Sequence, residues 1–349
     1  MLLENRISAF SELGNFLSQF KQSGIVKKEI VKYNDVFFDS FKTLIKRAKE
    51  SNSWFTENNV LYTCEAWSNL LNNKNLTSWT SNYNLKNNSK TIAVIMAGNI
   101  PLVGFHDFLS VLISGNQIQV KLSSNDKFLL PFLAKYLEYC NPKFNEYIHF
   151  TDKLENFDAV IATGSNNTAR YFDYYFGKYP HIIRQNRNGV GILTGNESIS
   201  ELESLGEDIF RYFGLGCRSI SKIFIPKGYN FDNFFKAIYK FKDLINYTKY
   251  DNNYTYNKAV FLMSKFQLLE NGFLMLKEDT SYASPIAVLF YEYYDDLDKL
   301  QEKVTQDKDK IQVLVSNNGI LDSVPFGETQ KPKLTDYADN VDTLAFLSS

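Results

Sequence analysis

The stretch Thr91-Ile92-Ala93-Val94-Ile95-Met96-Ala97-Gly98-Asn99-Ile100-Pro101 decides the fold of this 349-residue chain. It begins as a short continuous apolar run, the pattern of a strand covered on both faces. It ends in the glycine and proline that punctuate secondary structure. Leu102 to Ser114 then reads as a helix with proline in its first turn, and Gln117 to Lys121 as a second strand.

Reading outward, the alternation continues. Asp126 to Cys140 reads as a helix, Tyr147 to Phe150 as a strand and Phe157 to Thr163 as another; Gly164-Ser165 opens a helix running to about Gly177. Strands and helices in alternation predict an open, mostly parallel α/β sheet. Such sheets bind ligands at the carboxyl ends of their strands, where Asn99, Lys121, Gly164 and Ser165 fall. After a short basic stretch with Arg184 and Arg187, a second α/β run begins. It holds strands at Val190–Leu193 and Ser221–Ile225 around a helix at Ser198–Phe213. Helical patterns at 230–244 and about 255–269 follow, then strands at 273–276, 286–290 and 311–315, with a charged helix from Asp295.

Upstream, the apolar residues recur at three- and four-residue steps: Phe10, Leu13, Phe16 and Leu17, then Phe37, Phe38, Phe41 and Ile45, then Val60, Leu61, Cys64 and Trp67. These are helix-packing stripes. Residues 72–90, polar and Asn-rich, read as a loop. The domain reading is therefore 1–188, 189–325 and a C-terminal segment, 326–349, that returns toward the first domain.

Composition narrows the function. A net charge of −1, without a long basic tract, gives no electrostatic source for binding nucleic acid or anionic membrane. The apolar region from Thr91 to Gly115 is broken by Asn99, Pro101, His106 and Asp107, whereas a membrane helix needs about 20 apolar residues. The N-terminus lacks the basic-then-apolar order of a signal peptide. Three cysteines far apart and three scattered histidines suggest neither a disulfide framework nor a metal centre. A reduced, cytoplasmic setting is expected.

One cysteine stands out. Gly214-Leu215-Gly216-Cys217-Arg218-Ser219 sits between a helical pattern and a strand. Glycines permit a tight turn and leave a side chain accessible, and an adjacent cation favours the reactive thiolate. Alone, Cys217 reads as easily as a small buried hydrophobe.

In this order these residues resemble the aldehyde dehydrogenase superfamily, and within it the long-chain acyl-CoA reductase (LuxC-type) branch, over roughly residues 90–349. Ala97-Gly98-Asn99-Ile100-Pro101 matches the strand-end motif whose asparagine faces the reacting carbonyl. Val120-Lys121 matches the cofactor-ribose lysine, Thr163-Gly164-Ser165 the turn near the cofactor, and Gly216-Cys217 the nucleophile. Val324-Pro325-Phe326-Gly327 matches a late motif. The resemblance implies a Rossmann-type cofactor domain plus a second α/β catalytic domain.

It also implies a mechanism. Cys217 attacks the thioester of an acyl-CoA, Asn99 and the Cys217 backbone N–H hold the oxyanion, and hydride transfer gives the aldehyde. Two departures matter. Hydrolytic members carry a water-activating glutamate upstream of the cysteine, whereas residues 177–195 here contain no Asp or Glu. Acyl groups would then exchange with a thiol and not with water. Before Pro285, where a ribose-holding glutamate is frequent, the chain reads Thr280-Ser281-Tyr282-Ala283-Ser284, leaving Glu278 and Asp279 as nearby carboxylates. Ser124, where NAD-preferring members carry a carboxylate, favours NADPH, with NADH as the alternative; Asp126 adds a carboxylate close by. Acyl phosphate reduction, or an acyl carrier without hydride transfer, are the alternative functions. The implied partners are the acyl-CoA and an acyl-activating enzyme that feeds the reductase; a homo-oligomer is an open alternative.

Overall fold

Aromatic stripes build the first helices. The computed structural model describes residues 1–85, 90–317, 319–320 and 323–349. Helix α1 (Leu3–Leu17) is followed by a two-strand ribbon, β1 (Phe20–Lys21) and β2 (Gly24–Ile25), then by α2 (Asn34–Ser51) and α3 (Glu57–Leu70). The buried rings of Phe16, Phe20 and Phe41 pack on one another, and Phe16 and Phe37 meet Tyr136, with Phe16 and Tyr136 stacked at 4.5 Å. The abundant aromatics here fill a core, each ring removing a large apolar area from water.

The stretch read as a loop contains α4 (Asn73–Thr80). The Asn72 side chain accepts the Asn75 N–H at 2.9 Å, so an N-cap starts a helix whose polar sequence hides it. Residues 86–89 of that loop reading lie outside the described residues.

The decisive stretch forms β3 (Thr91–Ile95), followed by α5 (Phe105–Ser114), β4 (Gln117–Lys121), α6 (Leu129–Cys140), β5 (Ile148–Phe150), β6 (Ala159–Thr163), α7 (Asn166–Phe176) and β7 (His181–Arg184). These strands make a five-stranded sheet in the order β5-β4-β3-β6-β7, parallel throughout. Strand β7, unread in the sequence, is short and contains two of the basic and polar residues that disguised it. Two helix starts also differ. Leu102 takes φ 56°, so Pro101 lies in a turn and not in the first turn of α5. Asp126 is buried ahead of α6 and does not open it.

The second run contains β8 (Asn188–Ile192), α8 (Ile199–Phe210), β9 (Ile220–Pro226), α9 (Asp232–Ile238), α10 (Thr248–Met263), β10 (Leu269–Glu270), β11 (Met275–Glu278), β12 (Val288–Tyr294), α11 (Leu297–Gln306) and β13 (Ile311–Val315). The sheet order is β10-β11-β12-β9-β8-β13, with β10 alone antiparallel to its neighbour. Side chains alternate across β9. Ile223 and Ile225 pack with Leu202, Leu205, Ile209 and Phe234, while Phe224 packs with Leu300 and Val304. Both faces are thus covered by helices, as a parallel sheet requires.

The chain divides into unit 1, Met1–Gln185 with Lys333–Ser349, and unit 2, Asn186–Pro332. The segment 326–332, assigned in the sequence to the returning tail, belongs to unit 2. Phe326 lies in that unit's core and Thr329 is bonded to α8. The return begins at Lys333 and ends in α12 (Thr343–Ser348).

Candidate active site

In unit 1 the order β5-β4-β3-β6-β7 reverses direction between β3 and β6, which is the crevice where open α/β sheets take ligands. Asn99 follows β3, Lys121 ends β4, and Gly164-Ser165 follow β6. Register places Ile95 beside both Lys121 and Ala162. The five unit 1 positions read as site residues, Asn99, Lys121, Ser124, Gly164 and Ser165, therefore sit on loops or ends at one edge of the sheet. Lys121, Ser124 and Ser165 are exposed, Asn99 and Gly164 half-buried.

The turn bearing Asn99 is held from two sides. Buried Asn52 donates its side-chain amide to the Gly98 carbonyl at 3.2 Å, and the Asp126 carboxylate accepts the Leu102 N–H at 3.1 Å. Burial pushes the Asp126 carboxyl up to about 6, against the pull of backbone N–H groups from Leu102 and Leu129. A Cβ on Gly98 would lie 2.6 Å from Ser123 Oγ; the absent side chain lets the β3 and β4 loops meet. Sequence reading missed Asn52, and it left Asp126 as a rival cofactor carboxylate. The structure commits Asp126 to the Asn99 turn.

A dinucleotide needs close backbone approach and anion-binding N–H groups. A Cβ on Gly164 would sit 3.0 Å from Thr168 Cβ and Phe172 Cε2, so any other residue here would need those side chains to shift. Ser165 caps α7, its Oγ accepting the Thr168 N–H at 3.2 Å. Gly164, Ser165 and the exposed Lys121 and Ser124 fit such a group. The basic stretch does not contribute Arg184, which is buried, ion-paired with Asp107 and hydrogen-bonded to Thr343 Oγ1 at 3.1 Å.

The other reactive position is in unit 2. Cys217 is exposed, whereas Cys64 is buried and Cys140 half-buried. Burial raises the Cys64 thiol far above its ordinary value and pushes Cys140 up to about 12, so neither yields thiolate near neutrality.

Local backbone delivers Cys217 to the surface. Helix α8 stops at Phe210, three residues before the sequence reading ended it, and Tyr212, Phe213 and Gly214 take φ of 54°, 58° and 76°. Left-handed bulky residues cost roughly 1–2 kcal/mol each. Burial of both rings, with Phe213 stacked on Tyr247 at 4.8 Å, offsets that cost. Beyond Cys217, the Ser219 N–H closes a turn on the Gly216 carbonyl at 2.9 Å. Gly189 of β8 approaches so closely that a Cβ there would lie 2.7 Å from the Ser219 carbonyl oxygen.

Three carboxylates of unit 2, Glu197, Asp208 and Asp279, have hydrogen-bond partners. Glu197 accepts from Thr194 Oγ1 at 2.9 Å and from the Gly195 N–H at 3.0 Å. Asp208 of α8 accepts from Gly327 and Thr329, and burial pushes its carboxyl up to about 6. Asp279 takes the Ser281 N–H at 2.8 Å and pairs with Lys277, while Glu278 is exposed. Buried Lys222 pins the same loop, donating to the Asp279 and Thr280 carbonyls at 3.1 and 2.9 Å. Among the described residues no cluster of three His, Cys, Asp or Glu is placed to hold a metal, and no helix is long and apolar enough to cross a membrane.

A model of the acyl-CoA reductase (LuxC) family matches residues 45–238, a span that contains all six candidate residues. Solved structures share the fold. The NAD-dependent aldehyde dehydrogenase of Sinorhizobium meliloti aligns with TM-score 0.64 at 10% identity, over 92% of this chain and 72% of that one. The aldehyde dehydrogenase of Bacillus cereus, solved with NAD+, aligns with TM-score 0.60 at 12% identity, over 90% and 72%. A substrate-bound Staphylococcus aureus enzyme aligns with TM-score 0.54 at 14% identity, over 90% and 76%. A comparison with curated protein sequences finds no relative.

Proposed function

Because the chain belongs to the acyl-CoA reductase (LuxC) family, an oxidoreductase family of acyl and aldehyde groups, we propose that it reduces a long-chain acyl-CoA to the fatty aldehyde with NADPH through a thioester on Cys217. The observation that carries this reading is the exposure of Cys217 on a glycine-flanked turn while both other thiols are held protonated by burial.

Cys217 Sγ attacks the thioester carbonyl and CoA leaves as its thiol; cysteine suits this exchange because thiolate is both a good nucleophile and a fair leaving group. The Asn99 amide and the Cys217 backbone N–H donate to the oxygen as negative charge develops on it. Residues 177–195 contain no Asp or Glu where a water-activating base would be expected, which favours keeping the acyl group for reduction. Lys121 would hold the adenosine ribose of a nicotinamide cofactor, and Gly164 and Ser165 would admit its dinucleotide backbone; when bound, the cofactor would supply the hydride that reduces the acyl-enzyme. Collapse of the thiohemiacetal releases the aldehyde and returns Cys217.

Radiolabelled acyl-CoA without cofactor should leave label on the protein that hydroxylamine removes, and NADPH should discharge it as aldehyde. Cys217→Ser should abolish the label. Label retained in Cys217→Ser but lost in Cys64→Ser or Cys140→Ser would reject the assignment. Aldehyde formed from an acyl phosphate, and not from acyl-CoA, would reject the thioester substrate.

A further inference from the structure

The turn carrying Cys217 is tied to a segment 111 residues downstream. Thr329 is completely buried and uses each of its polar atoms. Its N–H and Oγ1 donate to Asp208 Oδ1 at 3.0 and 2.7 Å, and its carbonyl accepts Arg218 Nε at 2.6 Å. The other Asp208 oxygen accepts the Gly327 N–H at 2.6 Å. On the far side of Arg218, the Gln330 amide reaches Ser219 Oγ at 3.4 Å. Asp208 itself is 1% exposed, on the apolar face of α8 beside Leu205 and Ile209.

A carboxylate in an apolar interface is costly unless its oxygens are bonded. Here both are bonded, to three donors from one short segment. An apolar side chain could fill the same volume, but it could not fix the register of 327–329 against α8. That register decides where the Thr329 carbonyl lies, and the carbonyl decides where the Arg218 side chain is anchored. Arg218 is the neighbour of Cys217 in the chain. Gly189 also packs close to the turn: a Cβ there would lie 2.8 Å from the Arg218 carbonyl oxygen and 2.7 Å from that of Ser219. The turn is thus gripped from β8 and from the 327–330 segment.

We propose that Asp208 and Thr329 are positioning residues that hold Arg218, and through it the Cys217 turn, in the geometry from which Sγ attacks. The proposal rests on Cys217 being the nucleophile. Arg218 thereby acts as a tether as well as a neighbouring cation. Misplacing a reacting atom by about 1 Å can cost roughly 10²-fold in rate, so a tether of this kind matters more to the acylation step than to substrate affinity.

The test is a double-mutant cycle on the single-turnover acylation rate of the full chain with acyl-CoA. Asp208→Asn and Arg218→Gln should each slow acylation roughly tenfold to a hundredfold, with little change in the acyl-CoA concentration giving half-maximal rate. The double variant should be no slower than the slower single, because both act through Thr329. Thr329→Val should fall with them and Thr329→Ser, which keeps the hydroxyl, should recover. Additive losses, a change confined to half-saturation, or failure of Ser to recover what Val loses would overturn the tether. If Asp208→Asn does not fold, the Thr329 pair and Arg218→Gln decide the question. A second readout, Cys217 alkylation by iodoacetamide mapped by mass spectrometry, does not depend on catalysis. Its rate should shift in Thr329→Val and return in Thr329→Ser. An unchanged rate overturns the tether, whereas a shifted rate with acyl label on another cysteine keeps the tether and overturns the nucleophile.

Discussion

Ser124 is an exposed residue just beyond the end of β4. In the proposed cofactor site a carboxylate at this position would accept the ribose hydroxyls of NAD and repel a 2′-phosphate, since two anions a few ångströms apart are costly in a partly desolvated site. Serine removes that repulsion and can donate to a phosphate oxygen. Asp126 does not take over the ribose contact, because its carboxylate is buried and accepts the Leu102 N–H. Nor is Arg184 available for the phosphate, being paired with Asp107. Ser124→Glu should therefore lower kcat/KM with NADPH at least tenfold, about 1.4 kcal/mol, and leave NADH turnover nearly unchanged. The measurement is the ratio of the two constants in wild type and variant. An unmoved ratio would show that the 2′ position is read elsewhere, with Arg187 the next residue to vary.

At the scale of elements, Asp126 joins the β3–α5 turn to the β4–α6 connection, and its titration reports that junction. Its folded pKa, about 6, stands above the ordinary aspartate value. A raised acid pKa means that the folded state holds the proton more tightly. The associated stability is present below the ordinary value and is lost as pH rises through about 6. Asp126→Asn does not titrate, so its thermal midpoint relative to wild type should increase between pH 5 and pH 7. The difference should correspond to roughly 1–3 kcal/mol. A difference that stays constant with pH would show that Asp126 does not titrate in this window. Such junctions are also where the sequence was least legible. The strand Gln117–Lys121 was readable to the residue because Ile118 and Val120 alternate with polar residues across it. The candidate residues Asn99 and Cys217 stood out because turn glycines lie beside them. The residues that hold those turns were not, since their partners are distant: Asn52 meets Gly98, and Asp208 meets Thr329. A lone aspartate on the apolar stripe of Leu202, Leu205 and Ile209 was the one signal for the second. Helix α4 was hidden for a different reason, because its start depends on the Asn72 cap and not on periodicity.

At the scale of the whole molecule, unit 1 is assembled from two separate pieces of chain. The returning segment is bonded along its length. His106 Nε2 meets the Leu334 carbonyl at 2.9 Å, Trp79 Nε1 donates to Tyr337 at 2.8 Å and Tyr83 to Asp342 at 2.8 Å. Thr343 receives Arg184, and the Leu347 carbonyl receives Asn116 at 3.2 Å. Ending the chain after Pro332 removes these partners, the Thr343 hydroxyl that receives Arg184 among them. Such a truncation should expose the amides of α5 and β7 to hydrogen exchange while β8, β9 and β12 keep their protection. Equal loss in both units would show that the segment supports unit 2 as well. The same layout sets an order of events on the ribosome. Domains usually complete themselves from the N-terminus onward as they emerge, but here the middle of the chain, Asn186–Pro332, is available in full before the residues that close unit 1. The later half is thus the first that can finish folding. Until α12 arrives, the first half waits with the part of α5 that α12 packs against uncovered, a surface suited to a holding chaperone and prone to sticking to another nascent chain.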